Sequence, residues 1–284
     1  MESSTRDTER RAATKIRSCV DQGCAACLGK RVFMGQRFKI LQSFLWLLLW
    51  GGLAVQSANA QNGRYPPADE AWDGTSYRAL VQRVETEGLA LPTLSNSATK
   101  PVFERIVNVD NIPLRMGLNR DLSTTIRFQR LDSALLPIHK LAILYLNEMQ
   151  KGKPYAKELA GLMVYESKVS AALLDLSEPY LSTLPKDSRY QVHVAHLDQV
   201  KSAARQNYSG LVQGMTETSL YSKSDILKMI RAALDALTSH HPLFTNQDRL
   251  NLAQRLTQQI AITTDRPLKT ALTQLRDAIE RGRS

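Results

Sequence analysis

The sequence predicts an all-α fold: an antiparallel multi-helix bundle of about seven to eight helices, following a cleaved N-terminal signal sequence. Three observations predict it. Beyond position 73, apolar residues recur three and four apart, the period of one helix face. No stretch alternates apolar and polar side chains for long enough to make a strand. Phe44 to Val55 is a run of twelve residues without a polar side chain, the apolar core of an export leader.

That run is flanked as a leader requires. Lys30, Arg31, Arg37 and Lys39 precede it, and Ser57-Ala58-Asn59-Ala60 follows it. Small residues at −3 and −1 place signal-peptidase cleavage after Ala60. Residues 1–60 are thus read as an extended leader and signal peptide, with Met34 as the candidate true start. A spanning helix needs about 20 apolar residues, so this run is short for a retained anchor. A bundle tethered to the inner membrane by an uncleaved signal anchor is the alternative. Lys30-Arg31-Val32-Phe33-Met34 resembles a twin-arginine signal, with lysine in place of the first arginine, but the very hydrophobic core argues for the ordinary unfolded-export route instead. Cys19, Cys24 and Cys27 all lie in the leader. Cys24 and Cys27 have the spacing of a metal or redox pair, but Leu28 stands where haem attachment needs histidine. Past Ala60 there is no thiol, so neither lipid acylation nor a disulfide is available and packing must supply stability.

The leader also carries much of the charge. The chain holds 37 Lys+Arg and 27 Asp+Glu, of which residues 1–60 hold 9 and 4. The remainder, 28 against 23, leaves +5 where the whole chain has +10. So mild and diffuse a charge argues against nucleic acid as a partner. An envelope protein or an anionic envelope ligand fits it better, with the membrane touched only transiently through the signal.

Gln61 to Trp72 reads as a flexible lead-in, and residues 73–284 as the helical domain. The first helix has Thr75 or Ser76 as its cap, buries Tyr77, Leu80, Val81 and Val84, and stops at Gly88. Pro101 opens a short helix through Val102, Phe103, Ile106 and Val107. Asn108 to Asp121 reads as a connection. A long helix from about Ser123 to Gln150 buries Ile126, Leu131, Leu135, Ile138, Leu141, Leu144, Tyr145 and Met149, with Pro137 as a kink point. The next runs from Pro154 to about Glu178 through Leu159, Leu162, Val169, Leu173 and Leu176, and Pro179 is expected to break it. The fifth, about Asp187 to Thr218, carries a stripe of Tyr190, Val194, Leu197, Val200, Ala204, Tyr208, Leu211 and Met215. Ser222 with Asp225, and Thr245 with Asp248, have the spacing of capped starts. They open helices presenting Ile226, Ile230, Leu234 and Leu237, then Leu250, Ala253, Leu256 and Ile260. Asp265 caps the last, which buries Leu268, Leu272, Leu275 and Ile279. These final three, shorter than the three long helices before them, are candidates for a separate layer.

Chemistry has few footholds. His193 and His196 have ligand-like spacing; Asp198 falls on the opposite side of the helix and cannot join them, so they are metal candidates without a third ligand. His240 and His241 end a helix, where histidine suits the negative dipole terminus. Arg115, Arg120, Arg127 and Arg130 gather around the start of the 123–150 helix as an anion-binding candidate, with Asp110, Asp121 and Asp132 available to neutralise them. In Tyr165-Glu166-Ser167 the Glu-Ser pair resembles the catalytic glutamate motif of lytic transglycosylases. The nearby Gly161-Leu162-Met163 precedes the glutamate, whereas in that family such a stretch follows it. The resemblance implies a cell-wall lytic enzyme with Glu166 as general acid. No phosphate loop, nucleophile elbow or zinc-protease helix occurs in the sequence, and no cofactor is expected. The leading expectation is an exported, periplasmic or secreted, helical binding protein acting through a surface or groove of its bundle.

Overall fold

The computed structural model describes residues 65–281, apart from 68, 116–121, 218 and 240–242. These residues form nine helices in the order α1 Gly74–Glu87, α2 Lys100–Ile106, α3 Asn111–Leu114, α4 Thr124–Gln150, α5 Ala156–Thr183, α6 Tyr190–Thr216, α7 Lys223–Ser239, α8 Asn246–Ile262 and α9 Arg266–Arg281. No strand occurs among the described residues. The protein is all-α. The expected leader, with Phe44–Val55 and the expected cleavage point after Ala60, lies outside the described residues.

The ends follow local chemistry. Asp73, two to three residues earlier than the expected cap, is the α1 cap: its Oδ1 accepts from the Thr75 and Ser76 amides at 2.9 and 3.0 Å. A carboxylate with two amides answers two of the free N–H groups that every helix start leaves. Gly88 ends α1 at φ 67°, a left-handed turn that costs a glycine little. Thr245 and Asp248 form a reciprocal capping box at α8, and Asp265 Oδ1 accepts from the Leu268 amide at 2.9 Å at the start of α9. The expected connection from Asn108 contains one extra helical turn, α3, stitched in by the buried Asn111.

Pro179 does not break α5, which continues to Thr183. Tyr180 explains why the final turn holds. It is 4% exposed and lies parallel to Phe128 of α4, with ring centroids 4.2 Å apart. That burial is of the order of 2 kcal/mol, comparable with the ~3 kcal/mol a helix-interior proline costs.

The interior comprises two packed clusters. One unites Trp72 with α1, α2, α4, α5 and the first half of α6. The other joins Ala160 of α5 and the second half of α6 to α7, α8 and α9. Met163 and Leu174 of α5 pack on both clusters, so α5 is the spine. The α6 stripe crosses from one to the other: Leu197 and Val200 belong to the first, Ala204, Tyr208, Leu211 and Met215 to the second. Trp72, placed by sequence in the lead-in, is fully buried, and its amide donates to Asn111 Oδ1 at 3.1 Å. Two expected core residues are exposed: Ile126, in the first turn of α4, and Leu250. The buried face of α8 is instead Arg249, Leu252, Ala253, Leu256 and Gln259, a rotation by part of a turn.

Candidate functional site

Glu166 sits midway along α5 and is buried at 5% exposure. Its helix is unbroken, and its partner is His139 of α4, whose Nδ1–H donates to Glu166 Oε1 at 2.7 Å. Burial disfavours the imidazolium, but the charge of the Glu166 carboxylate and the hydrogen bond to it outweigh that cost, and His139 titrates above the usual 6.5. Both side chains are under a tenth exposed. A general acid must reach a glycosidic oxygen; here the carboxylate is turned onto a histidine between two helices.

A polar seam continues from this pair along α5. Asn207 Nδ2 donates to Ser170 Oγ at 3.3 Å, and the Tyr208 hydroxyl donates to the Ser167 carbonyl at 3.1 Å. A second buried network centres on Tyr77. Its hydroxyl donates to the Ile106 carbonyl at 2.8 Å, accepts from Asn111 Nδ2 at 3.0 Å and lies 2.8 Å from the Tyr165 hydroxyl. With one proton on each phenol, Tyr165 donates in that last contact. Burial pushes Tyr165 up to about 12 and Tyr77 well above its ordinary range. These phenols therefore stay protonated, as donors must.

The histidines of α6 serve different partners. His193 Nδ1 lies 3.1 Å from the Tyr180 hydroxyl, while His196 Nε2 donates to Asp132 Oδ2 of α4 at 3.2 Å. That hydrogen bond raises the His196 pKa above 6.5 against partial burial. Among the described residues no group of three or more His, Cys, Asp or Glu side chains could hold a metal ion. His240 and His241 lie outside the described residues.

Two of the four candidate arginines come together. Arg115, just past α3, and Arg130 of α4 line a pocket of about 240 Å³ with Asp73, Gly74 and Thr75 at the start of α1, and Ser133. Both guanidinium-bearing residues are exposed. Arg127 lies away from this pocket, with Nη2 donating to Thr124 Oγ1 at 3.3 Å; Arg120 lies outside the described residues. Asp132, a candidate neutraliser, is committed to His196, and Asp73 stands at the pocket instead. Gly74 lets α1 press against α4, for a Cβ there would lie 2.7 Å from Ser133 Oγ and 2.8 Å from its carbonyl oxygen.

His139 escaped the sequence reading, although a signal was present. It falls four residues after Leu135 and one after Ile138, on the apolar face of its helix, as Glu166 falls between Leu162 and Val169 on the next. Opposite charges on the buried faces of consecutive helices point to a pair.

The fold and site define a helical protein with buried polar pairs and an arginine-lined pocket. No protein-family model, curated protein or solved structure matches this chain. Among the described residues no helix is long and apolar enough to cross a membrane.

Proposed function

We propose that this chain is an exported binding protein, periplasmic or secreted after cleavage behind Ala60. Its helices form an antiparallel bundle that takes an anionic envelope ligand at the pocket of Arg115 and Arg130. The antiparallel arrangement is supported by the register of α4 on α5. Thr125 is 3.3 Å from Thr183, Phe128 stacks on Tyr180 and His139 meets Glu166, so early residues of one helix face late residues of the next.

The observation that carries the binding reading is the convergence of Arg115 and Arg130 on one pocket. Two guanidinium groups present planar forks of donors to an oxyanion, and Thr75 lines the same pocket. Export rests on the leader alone. A basic flank, a short apolar run and Ala-x-Ala are what a translocon and its peptidase read.

Co-sedimentation of the purified protein with phosphatidylglycerol vesicles and with phosphatidylcholine vesicles tests the ligand class. Preference for the anionic vesicles should fall at least about tenfold in Arg115→Ala/Arg130→Ala. Equal binding to both vesicles, or an unaltered double variant, refutes the reading. Fractionation with N-terminal mass analysis tests export: a soluble envelope protein beginning at Gln61 is expected. Recovery of the intact leader in the membrane fraction would mean a retained anchor.

A further inference from the structure

We infer that a second cleft, between α2, α5 and α7, binds a small apolar acid: one ring or a short alkyl chain bearing a carboxylate. This inference does not rest on the arginine pocket. The cleft measures about 140 Å³ and lies where the two clusters meet, with Phe103 from the first and Ala160 from the second in its walls. An engineered apolar cavity of about 150 Å³ holds benzene, so the volume suits one ring.

Gly161 supplies part of that room. A Cβ on Gly161 would stand 3.5 Å from Phe103 Cε1 and Cζ, an ordinary contact. Neither a clash nor a left-handed backbone therefore demands glycine here, although glycine inside a helix weakens it. What its missing side chain provides is space beside the Phe103 ring.

The charges at the mouth select the ligand's sign. Lys228 Nζ is 3.6 Å from Asp225 Oδ1, and Lys100 Nζ is 3.8 Å from Glu104 Oε1. The neighbouring Glu158 carboxylate accepts from the Leu94 amide at 2.7 Å. Lys157, exposed at the same mouth, has no ion pair within 4.0 Å among the described residues. It also stands in the first turn of α5, which opens at Tyr155 without a side-chain cap. The buried Glu158 carboxylate already answers the positive end of this helix, so it is the exposed Lys157 ammonium, without an ion pair, that complements a carboxylate, while the ring would lie against Phe103.

Thermal unfolding of the purified full chain with benzoate, benzyl alcohol and benzylamine tests this. Benzoate should raise the midpoint saturably, as a ligand of the folded state must; benzyl alcohol should bind at least about tenfold more weakly and benzylamine not at all. Lys157→Gln, at an exposed position, should weaken benzoate about tenfold. Gly161→Leu should abolish the shift with helicity retained. If that variant does not fold, Gly161→Ala, which meets only ordinary contacts, should still reduce affinity. Arg115→Ala/Arg130→Ala should leave benzoate binding untouched, separating this cleft from the arginine pocket. No benzoate shift, an equal response to benzylamine, or full binding by both Gly161 variants overturns the inference.

Discussion

Replacing Glu166 by Gln tests whether the buried glutamate holds two helices together or performs chemistry. The pair spans 2.7 Å, with side chains 8% and 6% exposed. Removing one partner of such a pair costs about 3–5 kcal/mol when the other charge stays buried. His139 can escape part of that cost by releasing its proton, so the loss must depend on pH. The histidine titrates above 6.5 in the folded protein, so the pair contributes fully below that value and its contribution fades as pH rises through the folded pKa. We expect Glu166→Gln to lose about 3 kcal/mol near pH 5.5, and about 1 kcal/mol near pH 9, where only a neutral hydrogen bond is forgone. For a domain of this size the acidic loss corresponds to a fall of about 6–12 °C in the melting temperature. Urea unfolding followed by circular dichroism at both pH values measures it. An equal loss at the two pH values refutes the ionic account. Unchanged stability with abolished peptidoglycan cleavage would establish Glu166 as a general acid instead.

Three other perturbations probe separate parts of the architecture. Gly74→Ala should lower stability by about 1–3 kcal/mol despite alanine's better helix propensity, because the new Cβ meets the Ser133 backbone within 3 Å; an unchanged or raised melting temperature contradicts this. Tyr77→Phe strips a common partner from Asn111, Tyr165 and the Ile106 carbonyl and should cost about 2–4 kcal/mol in denaturant unfolding, whereas a loss below about 1 kcal/mol would mean that water or a rearrangement re-satisfies them. Asp132→Asn should lower the His196 pKa in an NMR titration, since the bond to Asp132 is the main cause of its elevation; an unmoved titration would assign the elevation elsewhere.

Much of the fold was legible because burial in a helical protein leaves a period in the sequence. Leu268, Leu272, Leu275 and Ile279 were expected inward and are buried, and the Leu197-to-Met215 stripe is buried as expected. Periodicity identifies a face but does not centre it. In α8 the buried arc lies part of a turn from the expected one, bringing in Leu252 and Gln259 and leaving Leu250 exposed. Helix ends depend on partners that local rules do not contain. Pro179 should stop α5 on local grounds, but Phe128, some fifty residues earlier, supplies a stacking surface that outlasts the proline.

The candidate sites divide along the same line. Spacing within one helix brought His193 and His196 together on paper, yet each meets a partner from a different helix, Tyr180 of α5 and Asp132 of α4, and the pair serves packing at the α4, α5 and α6 junction. Arg115 and Arg130, separated in sequence by a connection, converge on one pocket because Gly74 lets the start of α1 lie against Ser133. Glu166 carried the sharpest local resemblance and proved the most committed to tertiary contacts. A carboxylate on an apolar helix face requires a partner in the interior, and His139 supplies it. Among the described residues, Arg115 and Arg130 at the pocket shared with Asp73, and Lys157 at the other cleft, are the charges on which the two binding proposals rest. In a helical protein without a linear catalytic motif, such charge at a pocket marks where ligands should be sought.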